Sequence, residues 1–293
     1  MDGGDYRQGH YVNARGYNGK LAFNLATQYK NILQLGLNLN THFLRYDEFS
    51  RSTERASSFA SRIEYMEFEE TLLTTGSGFS FQLGAILRAT PSLRFGFNYA
   101  SPTWMYLNDE TTQFVLTERR DTGATNPVTI IDPRIVNIYP SYRLQTPWSI
   151  GASAAYVIGN RALLSFDYGL KDYSSMRYGN GNDPFFAGQN NIISNTFKSA
   201  SSYRFGGEYK IKHVSVRGGY RIEESPYQNT VFFGDLSAYS FGLGYSFNNL
   251  RIDGSFAQSE RNFSRQLYEV GLTDTAQFTQ RITDVIVTMT FMF

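Results

Sequence analysis

The thirteen residues from Arg281 to Phe293 constrain the fold most. Val285, Val287, Met289, Phe291 and Phe293 share one parity, while Asp284, Thr288 and Thr290 share the other. Successive side chains of a β-strand point to opposite faces, so this segment has one apolar and one mostly polar face. A strand of that kind ending on Phe-Met-Phe suits a hydrocarbon boundary better than water. It is the pattern of a bacterial outer-membrane barrel closing on an aromatic residue.

Composition agrees. The 293 residues carry 27 basic and 26 acidic side chains, three histidines and no cysteine. A net charge of +1 gives no argument for nucleic acid or a strongly acidic partner. Without cysteine there is neither a disulfide framework nor a thiolate metal site. Aromatics reach 16%, with 24 Phe and 21 Tyr against two Trp, which suits strands and bilayer interfaces. No apolar run approaches the ~18 residues of a transmembrane helix.

The same alternation recurs along the chain in segments of about ten residues, the length needed to cross a bilayer at a tilt. Leu21, Phe23, Leu25 and Tyr29 alternate with polar neighbours, as do Leu33 to Phe43, Phe79 to Leu87 and Leu93 to Tyr99. Further segments are Trp148 to Tyr156, Leu164 to Leu170, Tyr203 to Ile211, Val214 to Ile222, Tyr239 to Phe247 and Leu250 to Phe256. With the C-terminal segment they make about eleven strands. Tight connections fall at 30–32, 90–92, 159–161, 212–213 and 248–249. Long polar ones are expected near 46–70, 103–145, 174–200, 224–236 and 258–280, with a short helix over 190–200. Short turns on one side and long loops on the other are the periplasmic and extracellular sides of a barrel.

The expected fold is therefore all-β, an antiparallel transmembrane β-barrel over 16–293, with 1–15 an unplaced leader or a remnant of a longer N-terminal region. Counting back from a periplasmic C-terminus, the first visible strand runs downward from outside, so upstream strands and a signal peptide are expected.

Several stretches carry a family resemblance. They are Gly16-Tyr-Asn-Gly-Lys-Leu-Ala-Phe-Asn, Thr74-Thr-Gly-Ser-Gly-Phe-Ser-Phe-Gln-Leu-Gly-Ala, Ala100-Ser-Pro-Thr-Trp, Ser165-Phe-Asp-Tyr and Lys171-Asp-Tyr. Tyr203-Arg-Phe-Gly-Gly-Glu-Tyr, Val216-Arg-Gly-Gly-Tyr-Arg, Ser225-Pro-Tyr and Tyr239-Ser-Phe-Gly-Leu-Gly-Tyr continue it. The chain resembles the C-terminal portion of the FadL/TodX family of outer-membrane transporters for long-chain fatty acids and other hydrophobic molecules, in its Bacteroidetes-type form. The resemblance implies a FadL-like barrel of about fourteen strands plugged by an N-terminal hatch, with ligand leaving sideways through the wall. The hatch and early strands have no counterpart in this sequence, so gating residues cannot be carried over. The family also includes haemin receptors and secretion-associated members, which leaves the ligand open.

Two groups of residues are candidates for binding. Apolar loop residues Trp104, Met105, Phe114, Phe185, Phe186, Ile192 and Phe197 would hold an acyl chain. The same residues would equally serve loop–loop packing over the barrel. Polar-parity cations Arg94, Arg204, Arg217 and Arg221 would meet a carboxylate headgroup. With Glu208, Asp253 and their neighbours they would equally form a bracing network of compensating charges.

Catalysis is not expected: His10, His42 and His213 belong to no nucleophile elbow, metal spacing or phosphate loop. Gly179-Asn-Gly-Asn-Asp reads as a turn and not as a metal site. No metal or cofactor is expected, and the partners expected are outer-membrane lipid or detergent and a fatty-acid-like ligand, bound by a monomer. A passive pore and a structural or secretion-associated barrel remain the alternatives.

Overall fold

A computed structural model describes residues 6–57, 61–120, 127–179, 184–266 and 275–291. The strands are β1 (Tyr6–Tyr29), β2 (Leu33–Ala56), β3 (Ile63–Arg88), β4 (Leu93–Ala100), β5 (Trp104–Arg119), β6 (Val128–Ile131), β7 (Asn137–Ile138) and β8 (Tyr142–Gln145). They continue with β9 (Trp148–Ile158), β10 (Ala162–Asp172), β11 (Arg177–Tyr178), β12 (Ser199–Ile211), β13 (Val214–Glu223), β14 (Phe233–Ser246), β15 (Leu250–Gln266) and β16 (Thr275–Phe291). One α-helix, α1, spans Ala187–Thr196. Each segment read from parity falls within one of these strands, except that Phe247 lies one residue past β14 and that Met292 and Phe293 lie outside the described residues.

The chain divides into two units, and β1 to β3 run through both. The larger comprises residues 22–40, 80–103 and 145–293. In it β3, β4, β9, β10, β12, β13, β14, β15 and β16 follow one another as an antiparallel meander. Its turns are the short ones expected, and Lys30, Gly159 and Lys212 take the left-handed conformation that such turns need. Registers keep parity aligned from strand to strand. Val216 pairs with Leu243 and Leu243 with Gly254, while Arg217 pairs with Gly242 and Gly242 with Ser255. A one-residue slip would move every apolar side chain to the polar face, so register is strongly specified.

The apolar face is outside. Phe241, Leu243 and Val285 are 62%, 63% and 72% exposed, yet the buried apolar residues among those described are only Ala56, Met105, Leu107 and Ala200. A water-soluble chain of this length would bury most such side chains. On the polar face the side chains bond to one another: Asn24 donates to Asn38 at 2.6 Å and Asn38 to Gln82 at 3.2 Å.

The smaller unit comprises residues 1–21, 41–79 and 104–144. It corrects the expectation of long polar loops. The 46–70 region is largely β2 and β3 and 103–145 holds β5 to β8; in the larger unit, 258–280 is likewise largely β15 and β16, paired out to Gln266 and Thr275. Residues 121–126 and 267–274 lie outside the description, as do 180–183 of the expected Gly179 turn. These segments are laddered as strands without apolar parity, so they lack the signature that marks the others. Residues 6–15, read as an unplaced leader, belong to β1, where His10 Nδ1 lies 3.0 Å from Ser52 Oγ.

In this unit Gly76 faces β5 so closely that a Cβ would stand 2.6 Å from the Tyr106 carbonyl oxygen and 2.4 Å from a Leu107 methyl. Gly76→Val is therefore expected to destabilise the β3–β5 hairpin by about 1–3 kcal/mol. Limited proteolysis would show it as faster cleavage between residues 63 and 119.

Candidate functional site

A cavity of about 720 Å³ opens on the polar face of the larger unit. Its floor is β9, β10 and β12, where Ser149, Gly151, Ser153, Gly169 and Ser202 are small. The two glycines pair with each other across β9 and β10. A Cβ at Gly151 would strike the Asn98 amide, and one at Gly169 would lie 2.6 Å from Ser202 Oγ. The floor is thus low because its strands lack side chains where the neighbours need the space.

Aromatic rings form the wall. Phe197 and Tyr227 lie 4.8 Å apart between centroids, and Tyr227 and Phe233 5.3 Å. Local structure places each ring. Helix α1 ends when the Phe197 amide bonds to the Ile193 carbonyl at 2.9 Å. The chain then pairs with the 226–228 segment, the Lys198 amide bonding to the Pro226 carbonyl and the Gln228 amide to that of Thr196, each at 2.8 Å. Helix α1 therefore covers 190–196 of the 190–200 expectation, starting three residues earlier and stopping four short, because backbone pairing claims residues 198–200 for an extended course.

The connection holding Tyr227 is fixed by Ser225, which is fully buried. Its amide donates to Asp235 Oδ1 at 2.7 Å, its hydroxyl donates to the Phe233 carbonyl, and the Tyr227 amide donates back to Ser225 Oγ at 3.2 Å. A bulge between Phe233 and Leu236 lets one extra residue into β14, which brings Phe233 opposite Phe263. Bulges re-aim side chains in this way. Here the result sets the Phe233 ring 4.2 Å from the Arg261 guanidinium.

Replacing Ser225 by Ala leaves a buried carbonyl and an amide without their partner. The expected cost is about 1–3 kcal/mol, read as a lower urea midpoint for unfolding from vesicles.

Arginines supply the charge. Glu223 stands among three of them: Arg204 Nη2 at 3.8 Å, Arg221 Nε at 3.5 Å and Arg261 Nη2 at 3.9 Å. Lys171, Asp167 and Glu224 also line the cavity, and the Glu224 carboxylate accepts from the Ser201 amide at 3.0 Å. Burial pulls the Arg261 guanidinium below its ordinary pKa, with Glu223 opposing that shift.

Asp167 and Arg204 also line a second cavity of about 660 Å³, which continues along the polar face of β12 to β15. Arg217 lies in it, bound by Glu208 at 3.0 Å and Asp253 at 2.7 Å, while Arg251 reaches Asp253 at 2.8 Å. These are the short charge-assisted pairs of a brace.

The residues singled out in the sequence separate accordingly. Phe197 and Arg204 line the same cavity, and Arg221 touches it through Glu223. Arg217 belongs to the brace, and Arg94 sits beside a short turn, opposite Arg88. Phe186 stacks on Tyr178, while Phe185 and Ile192 are 79% and 65% exposed and line neither cavity. Trp104, Met105 and Phe114 lie on β5 in the smaller unit. Met105 is buried over Gly78, Trp104 is exposed, and Phe114 lines a cleft of about 100 Å³ with Phe49 and Ile135. Tyr227, Arg261 and Glu223 were not foreseen. The Ser225-Pro-Tyr motif was the signal for Tyr227, while Arg261 fell in a stretch read as loop.

A sheet with an aliphatic and aromatic outer face and a charged inner face, roofed by ordered connections over a cavity, defines a membrane-spanning transport barrel. The chain belongs to the outer membrane protein transport protein family (OMPP1/FadL/TodX), whose model matches residues 18–291. Its members are outer-membrane transporters of hydrophobic compounds, and its place is the outer membrane of a Gram-negative cell.

Among solved structures it is similar to the toluene transporter TbuX of Ralstonia pickettii, at 13% identity and a TM-score of 0.47 over 99% of this chain and 79% of that one. It is similar also to the toluene transporter TodX of Pseudomonas putida, at 12% and 0.45 over 98% and 87%. A Pseudomonas aeruginosa FadL homologue matches at 12% and 0.45 over 91% and 76%. No curated protein matches.

Proposed function

We propose that the chain takes up long-chain fatty acids or similar hydrophobic carboxylates, by binding followed by lateral release into the membrane and without chemistry. One observation carries the reading: a single cavity joins the Phe197–Tyr227–Phe233 wall to the Arg204 and Arg261 cations. An acyl chain gains about 0.8 kcal/mol per buried methylene against such a wall. Its carboxylate brings the acceptor that a cluster of guanidiniums lacks. A neutral hydrocarbon would use the wall and leave the cations unanswered. Lateral release rests on membership of the family. The protein acts as a monomer in lipid, and no residue is assigned to catalysis.

The test is saturable uptake. Cells lacking the gene should import labelled oleate more slowly, and the plasmid-borne gene should restore the rate. Vesicles containing the protein should not swell in small sugars. Normal oleate import without the gene would overturn the reading, and sugar-driven swelling would assign a passive pore instead.

A further inference from the structure

We infer that Glu223 is an internal counter-ion which weakens the grip of the arginine cluster on anionic ligands, so that the cavity binds a hydrophobic carboxylate and still releases it. The native ligand's identity rests on the uptake reading above; the role of Glu223 is tested apart from it.

Comparison with Arg217 carries the argument. Arg217 shows what a structural pair looks like in this chain: its Nε and Nη1 donate hydrogen bonds to two different carboxylates, at 3.0 and 2.7 Å. Around Glu223 the geometry is looser. Three guanidiniums approach its carboxylate, each between 3.5 and 3.9 Å, and none of these approaches is a hydrogen bond; Asp235 near Arg261 and Asp167 opposite Arg204 are the other acids at the cluster. Among the described residues, the buried Nε atoms of Arg221 and Arg261 have no hydrogen-bond acceptor. A brace would have matched donors with acceptors, since a buried donor left unmet costs more than the bond returns. This cluster keeps two buried donors unmet, and it lies against a cavity with an apolar wall.

Glu224 does not fill the gap, because its carboxylate serves the Ser201 amide. Glu223 therefore has two effects. With the cavity empty it relieves the mutual repulsion of Arg204, Arg221 and Arg261. With a carboxylate bound it is a like charge beside the ligand headgroup, and it lowers the affinity. A transporter needs that compromise, since a site that holds its cargo too firmly does not pass it on.

The probes are octanoate and octan-1-ol, which share a chain and differ in charge, measured by equilibrium dialysis against the detergent-solubilised chain with a micelle blank. Glu223→Gln keeps the shape and breaks no hydrogen bond to the arginines. It should tighten octanoate binding about tenfold and leave octanol binding unchanged. Arg261→Gln should weaken octanoate about tenfold, again without effect on octanol, and gives a second reading should the first variant not fold.

Octanoate binding that is unchanged or weaker in Glu223→Gln overturns the inference, as does octanoate binding indifferent to Arg261→Gln. If the unaltered chain binds octanol alone and Glu223→Gln binds both, Glu223 keeps its role while the carboxylate-uptake reading fails.

Discussion

Leu243→Arg is expected to weaken folding into a bilayer by about 2–4 kcal/mol, the cost of a guanidinium on the lipid side of a barrel strand near the midplane. Leu243 is the middle member of the apolar run from Tyr239 to Phe247, paired with Val216 and Gly254, between Phe241 and Tyr245 on the same face of β14. Its 63% exposure is apolar surface offered to the hydrocarbon. Ser240→Arg is the control. It is three residues away in the same strand, but its parity aims it at the second cavity, and its expected cost is below about 1 kcal/mol. Urea titration of folding into vesicles, followed by the mobility shift between folded and unfolded bands, reads both. Equal costs at the two positions would mean that the faces do not differ in solvent, and the membrane assignment would fall.

The membrane-crossing part of the fold was legible because lipid imposes a rule on every second residue. Tyr239, Phe241, Leu243, Tyr245 and Phe247 against Ser240, Gly242, Gly244 and Ser246 leave little choice of structure or face. Short turns were equally plain, since Lys212-His213 leaves room for nothing but a hairpin. Elsewhere that rule lapses. Arg45-Tyr-Asp-Glu-Phe-Ser-Arg and Asn262-Phe-Ser-Arg-Gln have no apolar parity, yet they remain strand because the rest of β2 and β15 already fixes their register. Local composition records solvent, whereas the ladder is cooperative, so sequence reading stopped strands where the lipid stops.

The site was legible only in its types of residue. Apolar connection residues and polar-face arginines were the correct classes, but their grouping depends on which loop reaches which strand. Phe197 reaches the cavity while Phe185, twelve residues earlier, does not, because backbone pairing of 196–198 with 226–228 follows α1. Arg217 and Arg221 lie four residues apart on one face of β13 and differ wholly in partners. The partners of Arg217 come from β12 and β15, whereas Arg221 meets Glu223 two residues further along β13 itself. The aim of Phe233 was hidden for another reason: a one-residue bulge reverses its parity, and nothing in Val231-Phe-Phe-Gly-Asp announces the extra residue.

Removing the rings should therefore affect binding more than removing any other apolar group near the cavity. Phe197→Ala is expected to weaken octanoate binding roughly tenfold or more, since an aromatic wall residue contributes about 1.5–3 kcal/mol when a ligand buries it. Tyr227→Ala should be at least as damaging, because Tyr227 touches both Phe197 and Phe233 and its loss leaves each ring unsupported. The double variant should lose less than the product of the two effects, given that residues in contact couple. Backbone bonds at Lys198 and Gln228 survive both changes, so the connections stay in place and the loss reports on the wall itself. Phe185→Ala separates this from general apolar content, since Phe185 is 79% exposed, lines neither cavity and should leave affinity as it was. Octanol should follow octanoate through all of these variants, because the wall acts on the chain and not on the headgroup. If Phe185→Ala proved as harmful as Phe197→Ala, ligand would be captured on the exposed surface of the connections, and the cavity would lose its claim to be the binding site.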